Sequence, residues 1–168
     1  MLGFVSAPEQ GAGDRLLAAV GARLLAQGVA VAGVVQINTE TDPSRPCQMD
    51  LRLLPSGATV RISQDLGPAA RGCRLDPSGL ETAVAQVEAM LDSAAPRLLI
   101  LNKFGKHEID GRGFRPLIGK AMILGVPVLT SVSARNRTGF AAFAEGIAEQ
   151  IAPCETDILR WCHGVMGL

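Results

Sequence analysis

The first 36 residues constrain the fold more than any other feature. Met1–Ala7 is a short apolar run, and Pro8–Gly13 is a glycine-containing loop. Asp14–Gln27 carries Leu16, Leu17, Val20 and Leu24 at helical spacing, and Gly28 stops that pattern. Val29–Gln36 is then a continuous apolar, valine-rich run, the signature of a strand buried on both faces. Strand, loop, helix and strand in that order make a βαβ unit, whose crossover is right-handed in nearly every protein. A chain that starts this way is expected to build a parallel sheet covered by helices.

The pattern then changes. Asn38–Pro46 is polar, carries two prolines and reads as a loop. Gln48–Leu54 and Thr59–Gln64 alternate, with Met49, Leu51 and Leu53 set against Asp50 and Arg52, then Val60 and Ile62 against Arg61. With Pro55-Ser56-Gly57 between them, they predict a hairpin with one wet face, inserted in a parallel fold. Asp65–Arg74 is a loop. Asp76-Pro77 caps and opens a helix whose buried stripe is Leu80, Val84, Val87 and Leu91. Arg97–Asn102 predicts another buried strand and Lys103–Gly111 a polar loop. Phe114–Leu124 reads as a helix and Pro127–Val132 as a strand. Thr138–Ile151 reads as a helix with Phe140, Phe143 and Ile147 inward, and the tail from Glu155 to Met166 as a last short helix. The expectation is one three-layer α/β domain over residues 1–168, with a mostly parallel sheet and the hairpin inserted at about 48–64.

Composition narrows the function classes. A 48% hydrophobic content and a mean hydropathy of +0.25 exclude a disordered chain. Sixteen basic against sixteen acidic residues give zero net charge, which argues against a nucleic-acid binder. No apolar run reaches the roughly 20 residues that a membrane helix needs. Met1–Ala7 lacks a basic flank and reads as a strand rather than a signal peptide, so a cytoplasmic protein is expected. Cys47, Cys73, Cys154 and Cys162 are unevenly spaced without a CxxC pair, and free thiols are expected. Cys162-His163 alone does not make a zinc site, which takes about four ligands, and no metal ligands are assigned.

Charge is unevenly placed. The 16 basic residues are 13 arginines and three lysines, and all three lysines fall between Arg97 and Lys120. That stretch has six bases against Glu108 and Asp110, whereas Asp76–Asp92 has four acids and no base. The arginine excess is accounted for by high-GC codon usage, although arginine also suits two-pronged capture of oxyanions.

In an open parallel sheet, ligands bind at the carboxyl ends of the strands, near a topological switch point. The loop after the first strand includes Gln10, Gly11, Gly13, Asp14 and Arg15, with a Gly-x-Gly that suits anion binding at a helix N-terminus. Set against G-x-x-x-x-G-K-[ST], however, Pro8 stands at the first glycine, Asp14 at the lysine and Arg15 at the hydroxyl. An alternative role for Asp14 is helix N-cap. A second loop, Asn102–Gly113, gathers Lys103, Lys106, His107, Glu108 and Asp110 at the end of a buried strand. A third, Ser131–Arg137, offers Arg135 and Asn136. Off the sheet, Arg71 and Arg74 flank Cys73, where they would either lower the thiol pKa or pair with Asp65 and Asp76.

The runs Ile62-Ser63-Gln64-Asp65-Leu66-Gly67, Gly72-Cys73-Arg74-Leu75-Asp76-Pro77 and Asn102-Lys103-Phe104-Gly105-Lys106 with Glu108 and Gly111 resemble a bacterial domain family of unknown function. That family is itself similar to the thermophile-type P-loop nucleoside triphosphatases. The resemblance implies a P-loop fold with degenerate motifs. In the enzymes the later strand ends in Asp-Glu, a hydrophobic residue, Gly-Lys and a Glu two residues on. Here Gly105, Lys106 and Glu108 match, while Asn102 and Lys103 replace the two acids. One of those acids supports magnesium and the other orients the attacking water, so hydrolysis is expected to be absent or weak. Asn102-Lys103 followed by Ser133-Ala134 also resembles the guanine-reading pair of small GTPases, but Gly105 replaces the aspartate that reads the base, and guanine specificity does not follow.

The leading expectation is a domain that binds a nucleotide or another oxyanion. Gln10, Gly11, Gly13, Asp14, Arg15, Asn102, Lys103, Arg135 and Asn136 form the binding set, and Glu108 and Lys106 are the catalytic candidates. A nucleotide with magnesium and molybdate are the candidate ligands, the latter because the resemblance implies a link to molybdenum handling. The alternatives are an active triphosphatase with atypical groups, such as Cys73 as nucleophile, and an adaptor whose hairpin and Cys73 loop face a protein partner or a second copy. No membrane or nucleic-acid partner is expected.

Overall fold

The computed structural model of the chain describes residues 1–40, 47–64 and 74–168. Its sheet has seven strands, β1 (Leu2–Val5), β2 (Val31–Thr39), β3 (Gln48–Leu54), β4 (Thr59–Arg61), β5 (Leu98–Phe104), β6 (Val128–Val132) and β7 (Ala148–Ile151), in the spatial order β4-β3-β2-β5-β6-β1-β7. The β2–β5, β5–β6, β6–β1 and β1–β7 pairs are parallel, and the inserted hairpin adds β3 and β4 antiparallel beyond β2. Leu98-Leu99-Ile100-Leu101 is buried on both faces, as a central parallel strand requires.

Helices cover both faces. On one side α1 (Ala12–Ala26) and α6 (Glu155–Met166) bury Leu17, Val20, Leu24, Ile158 and Trp161 against the sheet. On the other, α2 (Pro77–Ala94), α4 (Arg115–Ile123) and α5 (Arg137–Ala144) bury Leu80, Val87, Leu91, Ile118 and Phe140. Asp76 caps α2 by accepting from the Ser78 N–H at 3.0 Å, with Pro77 at the first helical position. No helix among the described residues is long and apolar enough to cross a membrane.

The architecture is the expected three-layer, mostly parallel sheet with an antiparallel hairpin, but several local expectations are corrected. Strand β2 continues through Asn38 and Thr39, because β3 supplies a ladder partner for each. Lys103 lies in β5 rather than in a loop, and Lys106–Ile109 forms a single helical turn, α3. The helix predicted over Thr138–Ile151 ends at Ala144, where Glu145 and Gly146 both take left-handed backbone. Ile147 is therefore 61% exposed, and residues 148–151 form the edge strand against β1. Of the predicted α2 stripe, Val84 is only partly buried and Ala83 takes the inner position.

Gly33 lets the sheet close. Its φ is +122°, and a Cβ built on it would lie 1.9 Å from the Ile100 carbonyl oxygen of β5. Gly33→Ala is expected to cost about 3 kcal/mol or more of unfolding free energy, read from urea denaturation. On the α6 side, Cys162 is fully buried and burial pushes its thiol up to about 12. Since the thiolate is the reactive form, Cys162 is expected to resist alkylation at pH 8 in the native chain and to label on unfolding, whereas exposed Cys154 labels in both states. Mass spectrometry of the two labelled states checks this.

Candidate functional site

Strands β1 and β6 are neighbours, but β1 runs into α1 on one face and β6 runs through a 3-10 turn (Ala134–Asn136) into α5 on the other. At such a switch point parallel α/β sheets hold ligands, and the edge beside these two strand ends is the candidate crevice. The inward positions there are polar. Asn102 near the end of β5 and Ser131 near the end of β6 are buried polar residues, and buried Asp14 comes from the first turn of α1.

Asp14 is not the helix cap. The cap is Gly11, in left-handed conformation with φ +74°, and Asp14 sits one turn in, only 5% exposed. A buried carboxylate needs partners. Among the described residues Asp14 has two side-chain partners, the Lys103 ammonium at 3.6 Å and the Asn38 amide, which donates at 3.3 Å. Behind Asn38 runs a chain of amides. Gln36 Nε2 donates to Asn38 Oδ1 at 2.7 Å, Asn102 Nδ2 donates to Gln36 Oε1 at 2.7 Å, and the Gln36 backbone N–H donates to Asn102 Oδ1 at 3.1 Å. A backbone N–H only donates and a carboxylate only accepts, so the two ends dictate the orientation of every amide between them. Ser131 Oγ joins from the other side, donating to the Asn102 carbonyl at 2.7 Å.

Close approaches pull the loops together. A Cβ on Gly13 would lie 3.0 Å from the Ser131 Cβ, so α1 begins directly against β6. A Cβ on Gly105 would lie 4.0 Å from Asn136 Nδ2, so the turn after β5 meets the 3-10 turn after β6. Gly11, Gly13, Asp14, Asn102, Lys103, Lys106, Arg135 and Asn136 are thus distributed around one edge of the sheet. Lys103, Lys106 and Arg135 are exposed there. Gln10 is exposed on the loop, and Arg15 turns back to Glu9 in a surface pair at 3.7 Å. The open recess of about 460 Å³ on the outer flank of this loop, between Leu16, Ala19 and Pro153, includes neither Asp14 nor Lys103.

Other candidates stand elsewhere or are engaged. Glu108 is buried, and its carboxylate accepts from the backbone N–H of Gly105 at 2.8 Å and of Phe114 at 3.1 Å. It clamps both ends of its own loop. A Cβ on Gly113 would fall 2.2 Å from its Oε1. Arg115 reinforces the clamp by donating to the Glu108 and Ile109 carbonyls while stacking over Phe143. Lys120 belongs to the α4–α2 contact, pairing with Glu88 and Asp92, which hold its ammonium pKa above the ordinary lysine range. Arg97 donates to the Met166 carbonyl at the opposite edge of the sheet. The basic stretch from Arg97 to Lys120 therefore does not converge, because a helix and a strand carry its ends away from the crevice. Arg74 donates to the Cys47 carbonyl at 3.0 Å. Arg71 and Cys73 lie outside the described residues. Cys162 points into the core and His163 meets Gln27 at the surface, so the two adjacent side chains do not converge.

Magnesium takes hard oxygen ligands, usually one or two carboxylates plus phosphate and water. The described crevice does not suit it. Asp14 is taken by Lys103 and Asn38, Glu108 by two backbone N–H groups, and Asn102 is an amide with both ends engaged. Gln36 and Asn38 were missed by sequence reasoning. Their signal was two amides, one residue apart, at the end of an apolar strand.

Solved structures with this fold include the crystal structure of THEP1 from the hyperthermophile Aquifex aeolicus, with a TM-score of 0.70 over 100% of both chains at 13% identity. They also include the solution structure of a human cancer-related nucleoside triphosphatase, with a TM-score of 0.64 over 98% of this chain and 94% of that one at 16% identity. The fold is of the P-loop nucleoside triphosphatase type. In sequence, the molybdenum import ATP-binding protein ModC 2 of Bradyrhizobium diazoefficiens is 32% identical over 149 residues, which is 88% of this chain. This chain spans only 16% of the length of that relative. The family model for proteins of unknown function designated DUF2478 matches residues 2–161, and the chain belongs to that family.

Proposed function

We propose that the chain binds a nucleotide or another oxyanion in the crevice at the carboxyl edge of its sheet and does not hydrolyse it through magnesium. The observation that carries this reading is the Asp14–Lys103 ion pair. Measured against the P-loop pattern, Asp14 stands where the phosphate-binding lysine belongs, and Lys103 stands where an acid belongs. The two charges have changed places and meet across the crevice. Positive charge is kept at the site but comes from β5, while the acids that would hold the metal and orient water are gone.

The remaining groups suit an anion. Gly11 and Gly13 let backbone come close, Lys103 and Lys106 bring ammonium groups, and Arg135 brings a guanidinium fork. Glu108 shapes the Lys106 turn, and under this reading it is a positioning residue. The similarity to a molybdenum import ATP-binding protein supports molybdate beside nucleotides as a ligand to test.

Thermal unfolding with ATP, GTP, molybdate, tungstate and sulfate tests the binding half. A ligand held only by the folded state raises the midpoint, by about 5 °C or more when supplied at about 100 times its Kd. No shift with any of them at millimolar concentration overturns this reading and favours the adaptor alternative. Phosphate release from ATP and GTP with magnesium tests the second half. It is expected to stay at background, and turnover on the order of 1 s⁻¹ would overturn it.

Lys103→Ala separates the structural and binding parts of the pair. It leaves Asp14 buried with Asn38 as its remaining side-chain partner, at a cost of about 1–3 kcal/mol in urea unfolding, moderated because Lys103 is partly solvated. It is also expected to weaken binding of the shifting anion about tenfold or more by calorimetry.

A further inference from the structure

Strands β1, β2, β5, β6 and β7 are mutually parallel, so their starts share the edge of the sheet opposite the crevice. Every exposed large hydrophobic side chain among the described residues stands at that edge. Met1 precedes β1, Ile123 and Leu124 end α4 and lead toward β6, Ile147 precedes β7, and Leu168 follows α6. Leu168 is at this edge because Arg97, at the start of β5, donates to the Met166 carbonyl beside it. The Met1 carbonyl accepts from the Val128 N–H at 2.9 Å, and Leu2 is in register with both Val128 and Ala148, so Met1 lies between the connections before β6 and β7. Single exposed apolar side chains are ordinary, but five gathered at one end of a sheet mark an interaction surface.

The same edge is nearly free of charge. Its four connections between elements, 27–30, 95–97, 124–127 and 145–147, include two charged residues, Arg97 and Glu145. At the carboxyl edge, by contrast, 105–114 alone includes Lys106, Glu108, Asp110 and Arg112. Arg97 and Glu145 are both exposed, and neither forms an ion pair with a described residue. Arg97 gives one donor to the Met166 carbonyl and keeps the rest of its guanidinium fork.

These two charges are opposite in sign and evenly placed. Along the order β5-β6-β1-β7, Arg97 immediately precedes β5 and Glu145 stands three residues before β7. Each is about one and a half strand spacings, roughly 7 Å, from the line between β6 and β1. A two-fold axis through that line and normal to the sheet sets the start of β5 in one copy over the start of β7 in the other. Glu145 of each copy then comes beside Arg97 of the other, and the apolar connections meet between the two pairs. An isologous interface requires this self-complementarity. We propose that the amino edge of the sheet is the interface of a homodimer, with Ile123, Leu124 and Ile147 as its apolar contacts and reciprocal Glu145–Arg97 ion pairs at its rim. Both crevices stay open in such a dimer, because they lie at the far ends of the strands, and the pairing does not depend on what the crevice binds.

Sedimentation velocity of the full chain over a concentration range of about 1–100 µM is the test. The native chain is expected to move from 17.6 kDa toward twice that mass as concentration rises. Ile123→Glu places a charge on a side chain that is already 88% exposed, so the fold is kept, which an unchanged urea midpoint checks. It is expected to weaken the dimer about tenfold or more. Glu145→Arg and Arg97→Glu each set like charges against one another across the axis and are each expected to weaken it about threefold or more. The double exchange restores opposite charges and is expected to return the affinity to within about threefold of native. Loss of the Arg97 bond to Met166 within one copy is not repaired by a change at Glu145, so this rescue separates the interface from a local structural role. A native chain that stays monomeric to about 100 µM overturns the inference. A dimer indifferent to Ile123→Glu, or charge variants that the double exchange does not rescue, overturn it as well, because the interface then lies elsewhere.

Discussion

The carboxyl edge of this sheet is organised by one buried carboxylate. Asp14 enters from the first turn of α1, and the neighbouring elements supply what a buried charge requires, an ammonium from β5 and an amide from β2. The amide is itself supported by Gln36 and Asn102, so α1, β2 and β5 are joined by a single directional chain of hydrogen bonds. The last β2–β5 ladder partners are Gly33 and Ile100, and the Asn102 side chain takes over the Gln36 N–H beyond them. The chain therefore substitutes for main-chain pairing just where the strands part. A partly satisfied buried network costs more than an apolar one, so its members stand or fall together.

A second device shapes the rim. Glu108 carries a charge that sequence reasoning associates with acid–base chemistry, yet both of its oxygens accept from backbone and a glycine is required at 113 to fit round it. The result is a turn that holds Gly105 against Asn136 and displays Lys106 at the crevice. The lysine and the glutamate, neighbours in one short segment, thus have separate tasks because one is exposed and the other is buried.

Much of this was legible in advance. The opening βαβ unit, the buried run at 98–101, the hairpin at 48–64 and the Asp76-Pro77 helix start each rest on local chemistry, and local chemistry is written in the sequence. The inversion of charge at 14 and 103 was visible too, as two separate departures from a motif. What the sequence did not reveal was that the two departures touch. The failures share one cause. The 138–151 segment kept helical spacing in Phe140, Phe143 and Ile147, but β1 lies about 140 positions earlier and its free edge claims residues 148–151. Asp14 resembled a cap because capping is local, whereas its partners lie 24 and 89 positions away. The basic cluster at 97–120 was an artefact of counting along the chain, since α4 delivers Lys120 to acids of α2.

By itself, the sequence determined the layers, the alternation of strand and helix and the antiparallel insertion. Periodicity, capping and turn chemistry act over a few residues and need no knowledge of neighbours in space. The tertiary structure alone decided the strand order, the edge strand β7, the burial of Asp14 and its pairing with Lys103. Those depend on which distant segments the crossovers bring side by side, and a charge becomes a structural partner only after folding has removed water from around it.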